Sequence, residues 1–144
     1  MKREIKTTAQ WRGSDTVGGL HLLGEWYGCD GPSLLLQDAT ELRRLCRAAS
    51  EEAGLTIIGD RFHQVSAPLG VMGTVLLAES HLAIHTWPQE RFATLDVFVC
   101  NHAPDNRAKA HALYEALRES LAPGNENFLQ VKRGEVVELV MLPH

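Results

Sequence analysis

The chain is poor in the features that mark several protein classes. Its three cysteines, Cys29, Cys46 and Cys100, form no CxxC pair, so zinc-type ligand spacing is missing, no metal is expected, and any disulfide scheme leaves one thiol over. That usage fits a reducing, cytoplasmic compartment. Basic excess is also missing: 14 Lys and Arg stand against 18 Asp and Glu, a formal charge of −4, which excludes the electrostatic footprint of a nucleic-acid binder. The longest apolar run, 69–78, is about half of a membrane span, and 1–13 is polar and basic, unlike a secretory signal. No membrane partner is expected. Lysine is scarce too. Lys2, Lys6, Lys109 and Lys132 all lie outside apolar segments, which leaves no obvious lysine to carry pyridoxal phosphate.

What remains is an ordinary soluble composition, 44% hydrophobic and 22% charged over 144 residues. A chain of this size buries roughly 70% of its unfolded surface, enough for one core without staples. The expected organisation is a polar N-terminal arm over 1–17 and a single domain over 18–144.

Residues 20–27 read as a strand that breaks at 28–32. Asp38 with Glu41 makes a capping box, after which Leu42, Leu45, Cys46 and Ala49 recur at helical spacing until Gly54. Apolar and β-branched runs over 55–65, 73–77, 82–87 and 92–100 predict strands. A second helix starts after Pro104-Asp105, carries Ala110, Leu113, Tyr114, Leu117 and Leu121 on one stripe, and stops at Pro123-Gly124. Residues 128–142 close as a strand or hairpin around Arg133-Gly134. The order predicts an α+β fold, a two-layer α/β sandwich with a mostly antiparallel sheet and its helices on one face. In 93–100, Leu95, Val97 and Val99 then face the helices while Thr94, Asp96, Phe98 and Cys100 share the free face, where a second protomer can pack.

The chemistry concentrates in Glu79-Ser80-His81-Leu82-Ala83-Ile84-His85-Thr86-Trp87-Pro88. Ser80 lacks a Gly-x-Ser-x-Gly elbow, which disfavours an ordinary hydrolase. The link around it reads as too short for a comfortable two-residue hairpin. A serine in a strained turn can attack the preceding carbonyl. Ser80 Oγ adds to the Glu79 carbonyl, the amide becomes an ester, loss of the α-proton eliminates that ester, and the resulting dehydroalanine hydrolyses to a pyruvoyl group. The chain is thereby cut between 79 and 80. His85 is the natural base, because imidazole titrates nearest neutral pH, and it shares strand parity with His81. Decarboxylating an α-amino acid leaves a carbanion that must be delocalised through a Schiff base into a carbonyl acceptor, which a backbone-derived pyruvoyl provides. The carbanion then needs a proton, and the Cys100 thiol can donate it. Cys29 and Cys46 read as small core residues.

These residues resemble the prokaryotic S-adenosylmethionine decarboxylase family. The resemblance runs from about Gly18 to Leu121 through Gly19-Leu20-His21-Leu22-Leu23-Gly24-Glu25-Trp26-Tyr27-Gly28-Cys29, Phe62-His63, Gly70-Val71 with Gly73, the Glu-Ser-His to His-Thr-Trp-Pro signature, and Leu95-Asp96-Val97-Phe98-Val99-Cys100. It implies an α/β sandwich, a small-molecule substrate and a homodimer of processed protomers with sites near the interface. It implies that Ser80 becomes the pyruvoyl, His85 acts in processing and Cys100 donates the proton. Gln89, Glu90, Ser66, Glu25 and His81 are the expected substrate contacts.

Three positions depart from the family pattern. Gln89 stands where a glutamate usually holds the ribose, 64–69 lacks the aromatic that stacks on adenine, and Met72 replaces a hydroxyl residue that assists processing. Three readings therefore stay open. The first is decarboxylation of S-adenosylmethionine for spermidine synthesis, with Gln89 or Glu90 on the ribose. The second is a pyruvoyl-dependent decarboxylase of L-ornithine or L-arginine. In the third, an unprocessed chain regulates an active paralogue.

Overall fold

The computed structural model describes residues 3–7, 17–135 and 137–141. Its strands are β1 (Arg3–Thr7), β2 (Gly19–Tyr27), β3 (Ile57–Ser66), β4 (Leu69–Leu77), β5 (Ser80–Trp87), β6 (Phe92–Cys100), β7 (Asn125–Arg133) and β8 (Val137–Met141). Its helices are α1 (Leu34–Gln37), α2 (Ala39–Glu52) and α3 (Asn106–Leu121), with a single 3₁₀ turn over Pro88–Glu90. Six strands form one sheet in the order β3-β4-β5-β6-β2-β7, and every neighbouring pair is antiparallel. Both long helices pack on one face, so the architecture is the α+β two-layer sandwich the sequence predicts. None of the helices described is long and apolar enough to cross a membrane.

Strict alternation sorts side chains between the faces. Leu20, Leu22 and Trp26 of β2, Val71, Val75 and Leu77 of β4, Leu82 and Ile84 of β5, and Leu95, Val97 and Val99 of β6 are buried against the helices. Their partners are Leu42, Cys46 and Ala49 of α2 and the predicted stripe Ala110, Leu113, Tyr114, Leu117 and Leu121 of α3. Each fully buried leucine contributes about 1.5–3 kcal/mol, so this two-sided apolar layer decides the strand register.

Hydrogen bonds of buried polar groups fix the edges of the layer. Thr86 is buried; its hydroxyl donates to the Leu36 carbonyl at 2.7 Å and accepts from the Val71 amide at 3.0 Å, tying α1 to β4 and β5. Trp26 Nε1 donates to the Tyr114 hydroxyl and to Glu126, both at 3.1 Å, and Arg118 Nε reaches Glu126 at 2.9 Å. Burial pushes the Tyr114 hydroxyl up to about 12, so it stays a neutral donor to Glu126.

Several local expectations change. Asp38 caps α2 by accepting from the Thr40 and Glu41 amides at 2.8 and 3.1 Å, but Glu41 pairs with Arg44 instead of closing the box. β4 starts at Leu69, four residues before the expected strand, because Val71 belongs to the buried set. The link before Ser80 is a two-residue turn, Ala78-Glu79, with Leu77 paired to Ser80. Residues 128–142 do not form one hairpin: β7 joins β2 in the large sheet, whereas β8 pairs with β1 in a separate two-stranded sheet. Arg3–Thr7, read as part of a loose arm, is therefore a strand.

Asp60 of β3 holds α2 from the side. Arg43 Nε lies 2.7 Å from one carboxylate oxygen and Arg47 Nη1 2.5 Å from the other, and the bond from Arg43 is the larger cause that holds the Asp60 carboxyl below its ordinary range. A carboxyl with a lowered folded-state pKa contributes stability that is present above the unfolded value, near 4, and lost as pH falls through the folded value. Asp60→Asn should therefore lower the thermal midpoint by a few degrees at pH 7, with the gap to wild type closing as the buffer is taken below about pH 4. Equal midpoints at pH 7 would show that this ion pair is idle.

Candidate active site

The face of the sheet opposite the helices carries the chemistry in rows set by strand register. At one end Cys100 of β6 lies across from Gly19, and its amide donates to the Glu79 carbonyl at 2.9 Å. Ser80 opens β5 opposite Val99. The next row is His21, Phe98, His81 and Leu76; then come Leu23, Asp96, Ala83, Thr74 and Arg61; then Glu25, Thr94, His85, Met72 and His63. At the far end Trp87 faces Phe92 beside Tyr27.

The serine end is tightly held. Glu79 spends its side chain on the Thr56 amide at 3.0 Å, and the Ala78 amide donates to the Thr56 carbonyl at 2.8 Å, so the turn is docked on the segment before β3. The Glu79 carbonyl, the group that Ser80 would attack, points at the Cys100 amide, a donor placed where negative charge would develop. Ser80 Oγ lies 3.5 Å from His81 Nδ1, and its φ of 158° is near-extended. Cys100 is half-buried, and its Sγ lies 2.8 Å from His102 Nδ1 and 3.8 Å from Asn106 Nδ2.

His85 is not in this cluster. It shares the open face with His81, as its parity predicts, but it lies five residue steps along β5 from Ser80, about 16 Å at strand rise. Ser80 has the other parity, that of Leu82 and Ile84. His85 stacks on Trp87 with ring centroids 3.8 Å apart, and desolvation lowers its pKa, favouring the neutral imidazole that can act as a base. It borders a cleft of about 460 Å³ with Arg61, His63, Met72, Thr74 and Asp96.

The expected substrate contacts divide the same way. His81 is at the serine end, packed on Phe98. Glu25, which accepts from Asn127 Nδ2 at 3.0 Å, lies in the His85 row. Gln89 and Glu90 occupy the 3₁₀ turn after β5, and Glu90 borders a cleft of about 430 Å³ walled by Tyr27, Trp87 and Phe92. Ser66 is exposed at the end of β3, beside Ala67-Pro68. The sequence reading passed over His102 and Asn106; the signal available was a Cys-x-His spacing directly before a helix start. Among the described residues no group of three or more His, Cys, Asp or Glu is placed to hold a metal ion.

The residues at the serine end fit a pyruvoyl made in place. Ser80 is the first residue of a strand, paired on both sides with Leu77 and Val99, so cutting the bond before it leaves the sheet intact. Such an arrangement suits a decarboxylase made as a proenzyme, and the comparisons with known proteins agree on that class. The family model described as S-adenosylmethionine decarboxylase matches residues 20–134. The S-adenosylmethionine decarboxylase proenzyme of Methanococcus aeolicus is 36% identical over 120 residues, covering 83% of this chain and 97% of the relative. That of Acidithiobacillus ferrooxidans is 38% identical over 118 residues, covering 82% and 84%. The crystal structure of the adenosylmethionine decarboxylase from Aquifex aeolicus superposes with a TM-score of 0.74 at 35% identity, covering 85% of this chain and 95% of that one. The chain belongs to the S-adenosylmethionine decarboxylase family, and it is a pyruvoyl-dependent carboxy-lyase.

The three thiols differ in a way that labelling can read. Cys46 is fully buried, which pushes its thiol up to about 12, and burial also raises Cys29. Iodoacetamide at neutral pH should alkylate Cys100 first and reach the other two only on unfolding, as followed by peptide mass spectrometry. Labelling of Cys29 or Cys46 ahead of Cys100 in folded protein would contradict this packing.

Proposed function

We propose that the chain cuts its Glu79–Ser80 bond and works as a homodimer, whose sites each combine the Ser80 end of one protomer with the His85 end of the other in both steps. The carrying observation is the 2.9 Å bond from the Cys100 amide to the Glu79 carbonyl, which gathers scissile carbonyl, serine and thiol at one end of the sheet while His85 sits about 16 Å away along β5. A twofold axis through the middle of the open face, near Leu82 and Ala83, would lay the Ser80 end of one copy over the His85 end of the other. The open face suits burial: Tyr27, Met72, Leu76, Leu129 and Val131 are exposed on it.

In that arrangement Ser80 Oγ attacks the Glu79 carbonyl, which the Cys100 amide polarises, and the partner's neutral His85 takes the proton that leaves. The pyruvoyl carbonyl, once formed, supplies the electron sink that α-decarboxylation needs. Cys100 then protonates the substrate carbon. The preferred substrate is S-adenosylmethionine and the product its decarboxylated form, the aminopropyl donor for spermidine. The cleft of Tyr27, Trp87, Phe92 and Glu90 supports this choice, because it offers aromatic faces for a purine and a carboxylate for ribose hydroxyls. His85 and Glu25 lie in the row next to it. A cytoplasmic setting, where free thiols persist, completes the reading.

A second reading has support of its own. Gln89 offers an amide where a charged acceptor would grip the ribose, and Asp96 in the central cleft could pair with the side-chain cation of ornithine or arginine.

Two experiments decide these points. Ser80→Ala and His85→Ala proteins should each stay as one full-length band when expressed alone. Co-expressed, the His85→Ala chain should be cut, because its own Ser80 meets the partner's His85, and intact mass should show termini at 79 and 80. Full cleavage of His85→Ala on its own would overturn the shared site. For the substrate, carbon dioxide release is followed with S-adenosylmethionine, ornithine and arginine side by side. The nucleoside should be turned over, and Gln89→Glu should lower its KM, since charge-assisted hydrogen bonds are roughly twice as strong as neutral ones. Release from ornithine or arginine alone, even with glutamate at 89, would favour the second reading.

A further inference from the structure

Cys100 is not an isolated thiol. Its Sγ lies 2.8 Å from His102 Nδ1, a short nitrogen–sulfur contact, and 3.8 Å from Asn106 Nδ2, which also donates to the Cys100 carbonyl at 2.9 Å. Asn106 is 1% exposed, the first residue of α3, and its Oδ1 has no hydrogen-bond partner among the described residues. The buried amide is thus oriented by its nitrogen, which is aimed at Cys100. His102 is exposed, so its ring spans from the half-buried sulfur to solvent.

We infer that Asn106 and His102 are positioning residues for the proton donor, and that His102 also carries the replacement proton from solvent to Cys100 after each turnover. The inference rests on Cys100 being the donor. In the step itself the Cys100 S–H bond breaks, its proton forms the new C–H bond of the product, and the electron pair stays on sulfur. The thiolate left behind accepts from His102 Nδ1–H and lies near Asn106 Nδ2–H. Protonation of Sγ from Nδ1, with uptake of a proton from water at Nε2, restores the thiol without another co-reactant. Competing charges are few. Gly19 lies directly across on β2 and Ser80 is the nearest β5 residue, neither of them ionisable. His21 and His81 flank Phe98 one row away, and Arg133 sits across Gly19 on β7 beside His21. On α3 and its cap, Asp105 is paired with Lys109, and Glu79 is engaged by Thr56.

The test separates the pairing from the chemistry. In uncut Ser80→Ala protein, where no turnover occurs, adding His102→Ala should slow alkylation of Cys100 at neutral pH by about three- to tenfold, because the thiolate loses its donor. His102→Asn, which puts an amide near the Nδ1 position, should restore the labelling rate. In processed enzyme, His102→Ala should lower kcat by about 10- to 100-fold with KM little changed, the lower part of the range for general acid–base groups, and added imidazole should recover part of the loss. His102→Asn should remain slow, since it cannot pass a proton. Unchanged labelling would overturn the pairing, and a kcat loss that imidazole does not relieve, or that asparagine repairs, would overturn the relay. Undiminished turnover by Cys100→Ala would instead remove the donor role on which the inference stands, while the labelling of the uncut chain would still report on the pair.

Discussion

The hydrogen bond from the Cys100 amide to the Glu79 carbonyl is one rung of an antiparallel ladder, and both of its residues belong to the proposed chemistry. Its carbonyl belongs to the bond before Ser80; its amide belongs to Cys100, whose thiol is the proposed proton donor. The rung exists because Ser80 pairs with Val99, and that register exists because Leu82, Ile84, Val97 and Val99 must all face α2 and α3. A slip of one residue would expose the whole buried set of β5, so apolar burial holds the reactive atoms in place. The catalytic geometry is in this sense a by-product of the core. Nothing at the serine end needs a special loop, and the turn before it has only two residues.

The same alternation that buries one face leaves the other uncovered, and that face is neither polar nor dry. Histidines, aspartate and threonines alternate there with Trp87, Phe92, Phe98 and Tyr27, whose rings contact one another and the histidines. Aromatic and imidazole groups in such rows bury well against another protein surface and keep a polar edge available for substrate. The proposed second copy of the same sheet would meet these demands, since an isologous contact uses each row twice.

Much of this arrangement was legible in the sequence, for reasons that differ by element. The free face of β6 followed from period two, and the α3 stripe from period 3.6, because both are decided by burial within one element. Ser80, His85 and Cys100 stood out through their chemistry and the motif around them. What stayed hidden depended on contacts between elements. The reach from His85 to Ser80 looks short in a string of six residues but becomes about 16 Å once those residues are an extended strand. The two-residue turn was missed because Ser80 was assigned to the link when it is in fact the first rung of β5. β8 was drawn toward β7 by proximity in sequence, whereas it pairs with β1 from the other end of the chain. His102 and Asn106 carry no periodic signal and gain meaning only where the turn after β6 folds them back on Cys100.

Separation along the strands also sets how Met72 and Gln89 can act on the serine end. Met72 lies in the row of His85 and Thr94, and Thr94 is six residues from Cys100 on β6, about 20 Å at strand rise. Gln89 lies farther still, in the turn beyond Trp87. Within one protomer, substitutions that distant share no partners with the serine end, so their effect on it passes through the second copy that the proposed twofold contact lays there. A change at 72 or 89 therefore leaves the Cys100–Glu79 rung of its own protomer as it was and acts, in the proposed dimer, on the serine end of the other copy. In the proposed dimer each site is built from opposite ends of two sheets, so the far end can vary without disturbing the register that holds Glu79, Ser80 and Cys100 together.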